Sequence, residues 1–416
     1  MTAAKTLSDF VIIPGYDPDW GNKNFLDAAG LPIAGIYADV DNDDYHAIPA
    51  LSSSKLKVFL QSPAYYHRKY IKPIARVKST STERSLNAGT VTHGLVLEPQ
   101  RTKNLWWYHL NPLSVAGVIE TVDQIKAAII QRGGQPKGIR KDDLITQLLT
   151  IDPDAPVYEE LNRRHIMTWL AEKDLPWMRV DPAKHPGALE SADDIRAAIT
   201  TLGHEPEGDD LLQLSWQLKA LSPSTEILPL LQEELMRNLH KTPEYLQFVD
   251  EWVLDPVLYD DAQRACATVR EHFRANSLLS DGIAELTLIV QDPETGMWLK
   301  AKLDWLRFDL LPVDLKTARD TNPDRWAYQA KDLGYDIQDA FYCHVGALLG
   351  MDFPAFPFVC VEFADMDNCE VFEVGPKRRA KAKSDMLTGL REFNECQKTG
   401  RWYGYNKDQT TMVLEW

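Results

Sequence analysis

Apolar and polar positions alternate most clearly over residues 298–317, where the pattern predicts two strands joined by a short turn. One face of the first strand is apolar and carries Leu299, Ala301, Leu303 and Trp305. Asp304 lies on the opposite face, and in the second strand Asp314 and Lys316 share a face. Because adjacent strands lie about 4.8 Å apart, we expect Asp304, Asp314 and Lys316 to converge on one small patch.

The chemistry of this patch suits phosphodiester hydrolysis. Two carboxylates bind a hard divalent cation through oxygen. An ammonium group beside them can orient a water molecule bound to that cation, which is the minimum needed for metal-assisted hydrolysis. The alternative is a hairpin whose charged side chains simply face solvent, since a short motif of this kind is also common by chance.

Neighbouring segments add polar residues that the fold could bring to the same patch. Residues 87–99 are predicted to form a buried helix that carries His93, either as a metal ligand or as an ordinary core histidine. Glu285 lies on the strand predicted over residues 281–292, where it can face the patch. Residues 324–350 are predicted to form one long helix, in which Gln338 and Tyr342 are four residues apart and share a face.

Length and charge bound the possible functions. The chain has 416 residues, which is typical of two to three domains, and its formal net charge is −16. A negative chain does not coat DNA over its whole surface, because affinity for DNA rests on basic contacts to phosphate. Local basic clusters are the candidates for DNA binding, and they comprise Lys377, Arg378, Arg379, Lys381, Arg68 and Lys69. Solvated helix faces are the alternative for both clusters.

An internal repeat occupies the middle of the chain. Residues 121–138 align with residues 191–208, and each copy continues into a second short helix. The pattern resembles the SAP and helix-extension-helix modules, which implies docking to DNA or to a partner, while a purely structural insert is the alternative. We therefore predict three regions: 1–113 and 226–416 as parts of one core, and 114–225 as a helical insert.

The cysteine pattern indicates a reducing environment. The number of cysteines is odd and no pair has a CxxC spacing, so a disulfide framework and a cysteine-based zinc site are not expected. No apolar run approaches the length of a membrane helix, and the N-terminus lacks the apolar core of a signal peptide. We expect a cytoplasmic protein without a membrane partner.

The order of these motifs resembles the PD-(D/E)XK nuclease fold. A helix with histidine precedes a hairpin with Asp304, then Val313-Asp314-Leu315-Lys316-Thr317, then a helix with Gln338 and Tyr342. Within that superfamily the chain is most similar to the RecB-type branch and its RecE-like (exonuclease VIII-like) members. The resemblance implies an α/β (α+β) core with a mixed central sheet flanked by helices, interrupted here by the helical insert.

The resemblance also implies roles for individual residues. Asp304, Asp314, His93 and the Leu315 carbonyl would bind Mg²⁺ or Mn²⁺, and Lys316 would position the attacking water. Glu285 would act through a water or a second metal, and Gln338 and Tyr342 would support the site or hold the DNA end. The expected protein is a bacterial or phage-encoded exonuclease that digests linear duplex DNA from the 5′ end. It would form a ring-shaped oligomer and act with a single-strand annealing protein.

Two alternatives remain at this stage. One is an endonuclease or a single-strand nuclease built on the same core, because the core sets the chemistry and its surroundings set the substrate. The other is a DNA-binding scaffold whose nuclease core is inactive and which docks through the repeats.

Overall fold

The structure is a computed structural model that describes residues 5–19, 21–73, 80–102, 107–173, 175–363, 367–408 and 410–413, without the side chains of 80–87, 173 and 250–252. The chain forms two compact units. The first combines Met1–Lys103 with Leu258–Trp416, and the second is Asn104–Val257. Throughout the described ranges, every helix is too short or too polar to cross a lipid bilayer.

The strands of the described residues are β1 (Ile12–Pro14), β2 (Gly35–Ala38), β3 (Leu51–Ser52), β4 (Trp107–Tyr108), β5 (Val253–Leu254), β6 (Gly282–Gln291), β7 (Trp298–Arg307), β8 (Pro312–Ala318), β9 (Phe358–Glu362) and β10 (Cys369–Phe372). The α-helices are α1 (Asn42–Ala47), α2 (Ser53–Gln61), α3 (Pro63–Tyr66), α4 (Thr80–Leu97), α5 (Pro99–Thr102), α6 (Val122–Gln131), α7 (Lys141–Ile151), α8 (Tyr158–Lys173), α9 (Ala192–Thr201), α10 (Leu211–Leu221), α11 (Leu228–Asn238), α12 (Pro243–Trp252), α13 (Pro256–Glu271), α14 (Phe273–Leu278), α15 (Pro323–Asp332), α16 (Tyr335–Leu348) and α17 (Pro376–Thr399).

A mixed sheet forms the centre of the first unit, with strand order β1-β2-β6-β7-β8-β9-β10 and with β3 paired to β7. Strands β6, β7 and β8 are antiparallel neighbours, whereas β8 and β9 run parallel. One apolar cluster lies on the side of α2, α16 and α17, and a second lies on the side of α4, α13 and α14. The predicted fold class, a mixed sheet flanked by helices, is confirmed.

The predicted hairpin forms, but its alternation shifts by one residue in the middle. Leu303 and Leu306 pack in the same apolar cluster, while Trp305 packs in the cluster on the opposite face beside Val313 and Leu315. The prediction that Trp305 shares a face with Leu303 is therefore wrong. A strict period of two holds only in a regular strand, and the β6–β7 ladder is interrupted between Leu303 and Trp305.

Residues 324–350 do not form the single long helix that the sequence predicted. Helix α15 ends at Asp332 and α16 begins at Tyr335. Gly334 lies between them with φ of 64°, a left-handed conformation that glycine adopts without a steric penalty and that ends the first helix. Asn322 caps the start of α15 by accepting the amides of Asp324 at 3.1 Å and Arg325 at 3.4 Å.

The second unit contains two copies of one helical motif. Helices α6 and α7 enclose a small core with Ile125 and Leu144, and α9 and α10 enclose an equivalent core with Ile195 and Leu214. Corresponding hydrogen bonds recur. Gln147 Nε2 donates to the carbonyl of Gln135 at 2.6 Å, and Gln217 Nε2 donates to that of Glu205 at 2.7 Å.

The compact units divide the chain at different residues from the predicted 113/114 and 225/226 boundaries. The break falls at 103/104 and at 257/258. Residues on either side of the repeats belong to the second unit because Trp107, Leu239 and Tyr245 pack into one apolar cluster with Ile166 of α8.

Candidate metal centre

Strand β7 exposes part of one edge in the first unit, and the candidate site lies there. Strand β8 pairs with β7 at Trp305 and Leu306, whereas β3 pairs with β7 at Leu299 and Lys300. The carboxylate of Asp304 lies between these two pairings. Its Oδ2 accepts a hydrogen bond from the amide of Leu315 at 2.9 Å, so this side chain replaces a backbone partner where the strands separate.

Glu285 enters the same space from β6. The β6–β7 ladder pairs Ala284 with Trp305 and Leu286 with Leu303, which places Glu285 opposite Asp304. Glu285 adopts φ of 55°, a left-handed conformation that is strained for a glutamate because its Cβ crowds the following carbonyl oxygen. Strained backbone of this kind persists where the surrounding structure imposes it, and it occurs often at functional sites.

His93 completes a cluster of three possible metal ligands. It lies on α4, which packs on β8 with Gly89 facing Thr317. One ligand atom each from His93, Glu285 and Asp304 lies within 4.8 Å of the others, and His93 Nδ1 is 3.8 Å from Asp304 Oδ2. The ring also hydrogen-bonds to the backbone of Leu315, so Leu315 lies beside the cluster.

Asp314 lies next to this cluster and is held by two neighbours. Its Oδ1 accepts a hydrogen bond from Gln338 Nε2 at 2.6 Å, and its Oδ2 forms an ion pair with Lys316. The side chain is almost completely buried, at 1% exposure, so these partners compensate a carboxylate that water does not reach. In this arrangement Asp314 is a neighbour of the ligand cluster rather than a member of it.

The acidic groups of the site prefer not to be charged together. Burial, followed by the charge of Asp314, raises the pKa of Asp304 to about 7, although Lys316 and the Leu315 amide act in the opposite direction. Burial and the charge of Asp304 raise the pKa of Glu285, although Lys302 lies 3.1 Å from Glu285 Oε2 and opposes the shift. A divalent cation bound between these carboxylates would remove that repulsion.

The same environment raises the pKa of Lys316 and lowers the pKa of His93. Burial alone would lower the pKa of Lys316, but the carboxylates of Asp314 and Asp304 outweigh it and raise the value, so Lys316 is an ammonium. Burial and then the charge of Lys316 lower the pKa of His93, against the opposing effects of Asp314 and Glu285. A neutral imidazole is the form that binds a metal.

A second lysine, which the sequence analysis did not select, lies near Lys316. Lys57 of α2 places its Nζ 5.4 Å from the centre of the Tyr335 ring, and Lys316 Nζ lies 5.1 Å from the same centre. The stem of Lys57 passes over Gly334, where a Cβ would approach its Cδ to 3.0 Å. The motif around Lys57 contains several lysines and serines, and nothing in its spacing distinguishes the one that reaches the site.

Tyr342 is buried beside the site and not exposed to a DNA end. It hydrogen-bonds to Ser53 of α2, and burial raises its pKa far above the usual range. Gln338, one turn earlier on α16, contacts Asp314 as described above. The two residues share a face of the helix, as predicted, and line the buried side of the centre.

The predicted basic clusters supply none of the contacts described so far, and most of the first cluster is paired with carboxylates. Arg378 binds Asp336 at 2.6 Å, Arg379 binds Asp339 at 3.0 Å and Lys381 binds Asp385 at 2.5 Å. Lys377 is exposed on the first turn of α17. Arg68 and Lys69 are exposed, and Lys69 Nζ lies 5.4 Å from the centre of the Tyr70 ring.

The comparison with known families agrees with this geometry. Residues 239–408 match the model of a family described as "PDDEXK-like domain of unknown function (DUF3799)". This part of the chain is therefore a PDDEXK-like domain, and the resemblance to the PD-(D/E)XK superfamily is confirmed. The matched range contains Glu285, Asp304, Asp314 and Lys316, and the match supports nuclease chemistry.

Solved structures and curated proteins add little to the family match. A "Putative exonuclease" from Eubacterium rectale is 13% identical, with a TM-score of 0.30, and the alignment covers 55% of this chain and 90% of that chain. A second structure, described only by a locus name, is 11% identical with a TM-score of 0.18, and 54% of this chain and 85% of that chain are covered. None of the curated proteins matches.

Proposed function

We propose that this chain is a divalent-cation-dependent deoxyribonuclease whose centre is formed by His93, Glu285, Asp304, Asp314 and Lys316. The observation that carries the proposal is the cluster of His93, Glu285 and Asp304, whose ligand atoms lie within 4.8 Å of one another, next to an ammonium held by Asp314. A purely structural hairpin has no reason to gather three such partly buried groups beside a lysine, because each costs desolvation energy.

The donor set fits a divalent cation. Two carboxylate oxygens suit Mg²⁺ and Mn²⁺, and the imidazole of His93 extends the range toward ions that accept nitrogen, of which Mn²⁺ is the one also suited to oxygen. When bound, such an ion supplies Lewis acidity at the phosphoryl oxygen and lowers the pKa of a bound water. The Leu315 carbonyl and Asp314 remain predicted additional ligands.

The protein side chains have separate tasks in this proposal. Lys316 stabilises the negative charge that develops on the phosphoryl oxygens, and Asp314 holds the ammonium in position while Gln338 holds Asp314. Lys302 orients Glu285 and opposes the rise in the pKa of its carboxyl group. Lys57 adds a second cation beside Tyr335, where it binds a phosphate next to the scissile one.

We further propose the exonuclease mode implied by the resemblance to RecE-like nucleases. This mode includes digestion of linear duplex DNA from the 5′ end, a ring-shaped oligomer, a single-strand annealing partner, and a recombination role in a bacterial or phage-encoded cytoplasmic protein. The repeats of the second unit are proposed to dock on DNA or on that partner through the SAP-like pattern. These finer assignments depend on the resemblance alone.

A cleavage assay separates the possibilities. The protein is incubated with end-labelled linear duplex, with closed-circular duplex and with a single strand, each with Mg²⁺, with Mn²⁺ or with EDTA. The exonuclease predicts digestion of the linear duplex only, with either cation. Nicking of closed circles would favour the endonuclease. Inactivity on every substrate, while Lys316→Ala binds DNA like the wild type, would favour the scaffold.

A further inference from the structure

A pocket of about 470 Å³ lies beside Tyr335 in the first unit. Its wall contains four aromatic side chains that stack in two pairs. Trp326 stacks on Phe372 and Tyr335 stacks on Phe358, each pair with ring centres 5.5 Å apart and an interplanar angle of 21°. The volume falls within the range of about 300–1,000 Å³ that is usual for small-molecule sites.

The pocket adjoins the candidate metal centre at Tyr335. Tyr335 lines the pocket, and its ring also lies 5.1 Å below the Nζ of Lys316. Phe358, another wall residue, is the ladder partner of Asp314 in the β8–β9 pair. A nucleotide with its phosphate at Lys316 therefore has this aromatic wall within the reach of its own base.

The pocket also carries groups that recognise polar edges. Asp336 is 5% exposed, lines the pocket and forms an ion pair with Arg378, which lines it as well. Carboxylates accept hydrogen bonds from the exocyclic amino group of cytosine, and unpaired bases are bound by stacking together with hydrogen bonds to their edges. An aromatic wall with a buried carboxylate beside a phosphate-binding ammonium matches the parts of one nucleotide.

We propose that this pocket receives one unpaired nucleobase of the substrate strand, next to the phosphate held at Lys316. The inference rests on the proposed nuclease function and adds to it a requirement: the strand must be unstacked by one base before cleavage. A base has a π face whatever its identity, so stacking tolerates all sequences, while the carboxylate favours bases with an amino group.

The test measures binding without cleavage. Wild-type protein in EDTA, which prevents cleavage, is titrated with a 12-residue deoxycytidine oligonucleotide and with a fully abasic oligomer of equal length and charge. We expect the deoxycytidine oligomer to bind about tenfold more tightly, the order of magnitude for one stacked base. Adding Ala330→Phe, which fills the pocket, should abolish this preference and leave affinity for the abasic oligomer unchanged.

Matched variants keep the test decisive. Gln329→Phe adds the same ring on α15 outside the pocket lining and should retain the tenfold preference. If circular dichroism shows that Ala330→Phe is unfolded, Ala327→Trp at the exposed rim replaces it. A preference that survives a filled pocket, or equal binding of both oligomers by the unfilled protein, overturns the inference.

The outcome also separates this inference from the proposed function. A wild-type protein that cleaves DNA with a cation, but shows no base preference in EDTA, contradicts the pocket alone. A wild-type protein that cleaves nothing, yet prefers bases through the pocket in EDTA, contradicts the nuclease and supports the nucleobase site.

Discussion

Glu285 and Asp304 lie opposite each other on neighbouring antiparallel strands, at the point where both strands shift their alternation by one residue. On β6, Ile283 and Leu286 pack in one apolar cluster while Ala284 packs in the other, and β7 shows the same shift at Leu303 and Trp305. The shift leaves two acidic side chains free to turn toward His93 at the edge of β7, and it explains why Glu285 tolerates a φ of 55°.

Because the backbone at Glu285 is left-handed, we predict that glycine at position 285 gives a more stable protein than alanine, the reverse of the usual order in a strand. Glycine in a strand is usually less stable than alanine by roughly 0.5–1 kcal/mol. At a left-handed position alanine costs roughly 1–2 kcal/mol, so Glu285→Gly should unfold with a higher free energy than Glu285→Ala. Chemical denaturation of both variants measures this. Both should lose cleavage, because both lack the carboxylate. An alanine variant more stable than the glycine variant would contradict the backbone account.

The ion pair of Asp314 and Lys316 predicts a strong coupling of stability between the two residues. Lys316→Met leaves the buried carboxylate of Asp314 without its cation, and the free energy of unfolding should fall by about 3–5 kcal/mol. Adding Asp314→Asn should restore most of that loss. Cleavage should stay absent in both proteins, since the ammonium is missing. Additive effects in this double-mutant cycle would show that the pair is not coupled.

Lys57 predicts a pH dependence of DNA binding. Burial and then the charge of Lys316 lower the pKa of Lys57 to about 8, against the opposing charges of Asp314 and Asp336. Lys57 is therefore an ammonium below about pH 8 and neutral above it. In EDTA, which prevents cleavage, affinity for DNA should fall as the pH rises from 7 to 9, and the fall should be smaller in Lys57→Arg, whose guanidinium stays charged.

The salt dependence of the same binding gives a second readout for Lys57. At pH 7 the slope of log affinity against log salt should be shallower by about 0.9 in Lys57→Met than in the wild type, the value for one lost phosphate contact. An unchanged slope together with an unchanged pH profile would remove Lys57 from the DNA site.

Replacing Lys300 should lower the stability of the protein without abolishing DNA cleavage. Its side chain is buried, and Nζ donates to the carbonyls of Tyr45 at 2.5 Å, His46 at 3.2 Å and Ile48 at 2.8 Å, at the end of α1. Lys300→Met leaves these acceptors without a donor, so the free energy of unfolding should fall by about 3 kcal/mol. The folded variant should cleave DNA at a rate close to that of the wild type, because Lys300 is outside the ligand cluster.

The sequence pattern predicted the hairpin because its two strands are adjacent in the sequence. The alternation over residues 298–317 predicted the strands that carry Asp304, Asp314 and Lys316, although it missed the shift between Leu303 and Trp305. The spacing of Gln338 and Tyr342 places both on one face of α16. Lys57 and Tyr335 could not be selected in this way. They reach the site only because α2 packs against α16, a contact between segments far apart in the sequence.

The basic cluster on α17 is a second case in which tertiary contacts could not be predicted from the sequence pattern. Its density in the sequence predicted a track for phosphates, yet Arg378 and Arg379 bind Asp336 and Asp339 of α16. Spacing along one helix does not reveal the charges on a helix that packs beside it. Lys377 remains exposed and stays a predicted DNA contact.

The most direct test of the metal-dependent centre is the rate of cleavage of end-labelled linear duplex across a Mn²⁺ titration, with the wild type and Asp304→Asn measured side by side. We predict a rate that rises with Mn²⁺, disappears in EDTA and falls by roughly 100- to 1,000-fold in Asp304→Asn, a loss typical of removing a group that acts in the transition state. Equal digestion by wild type in EDTA, or by Asp304→Asn in Mn²⁺, would contradict the account.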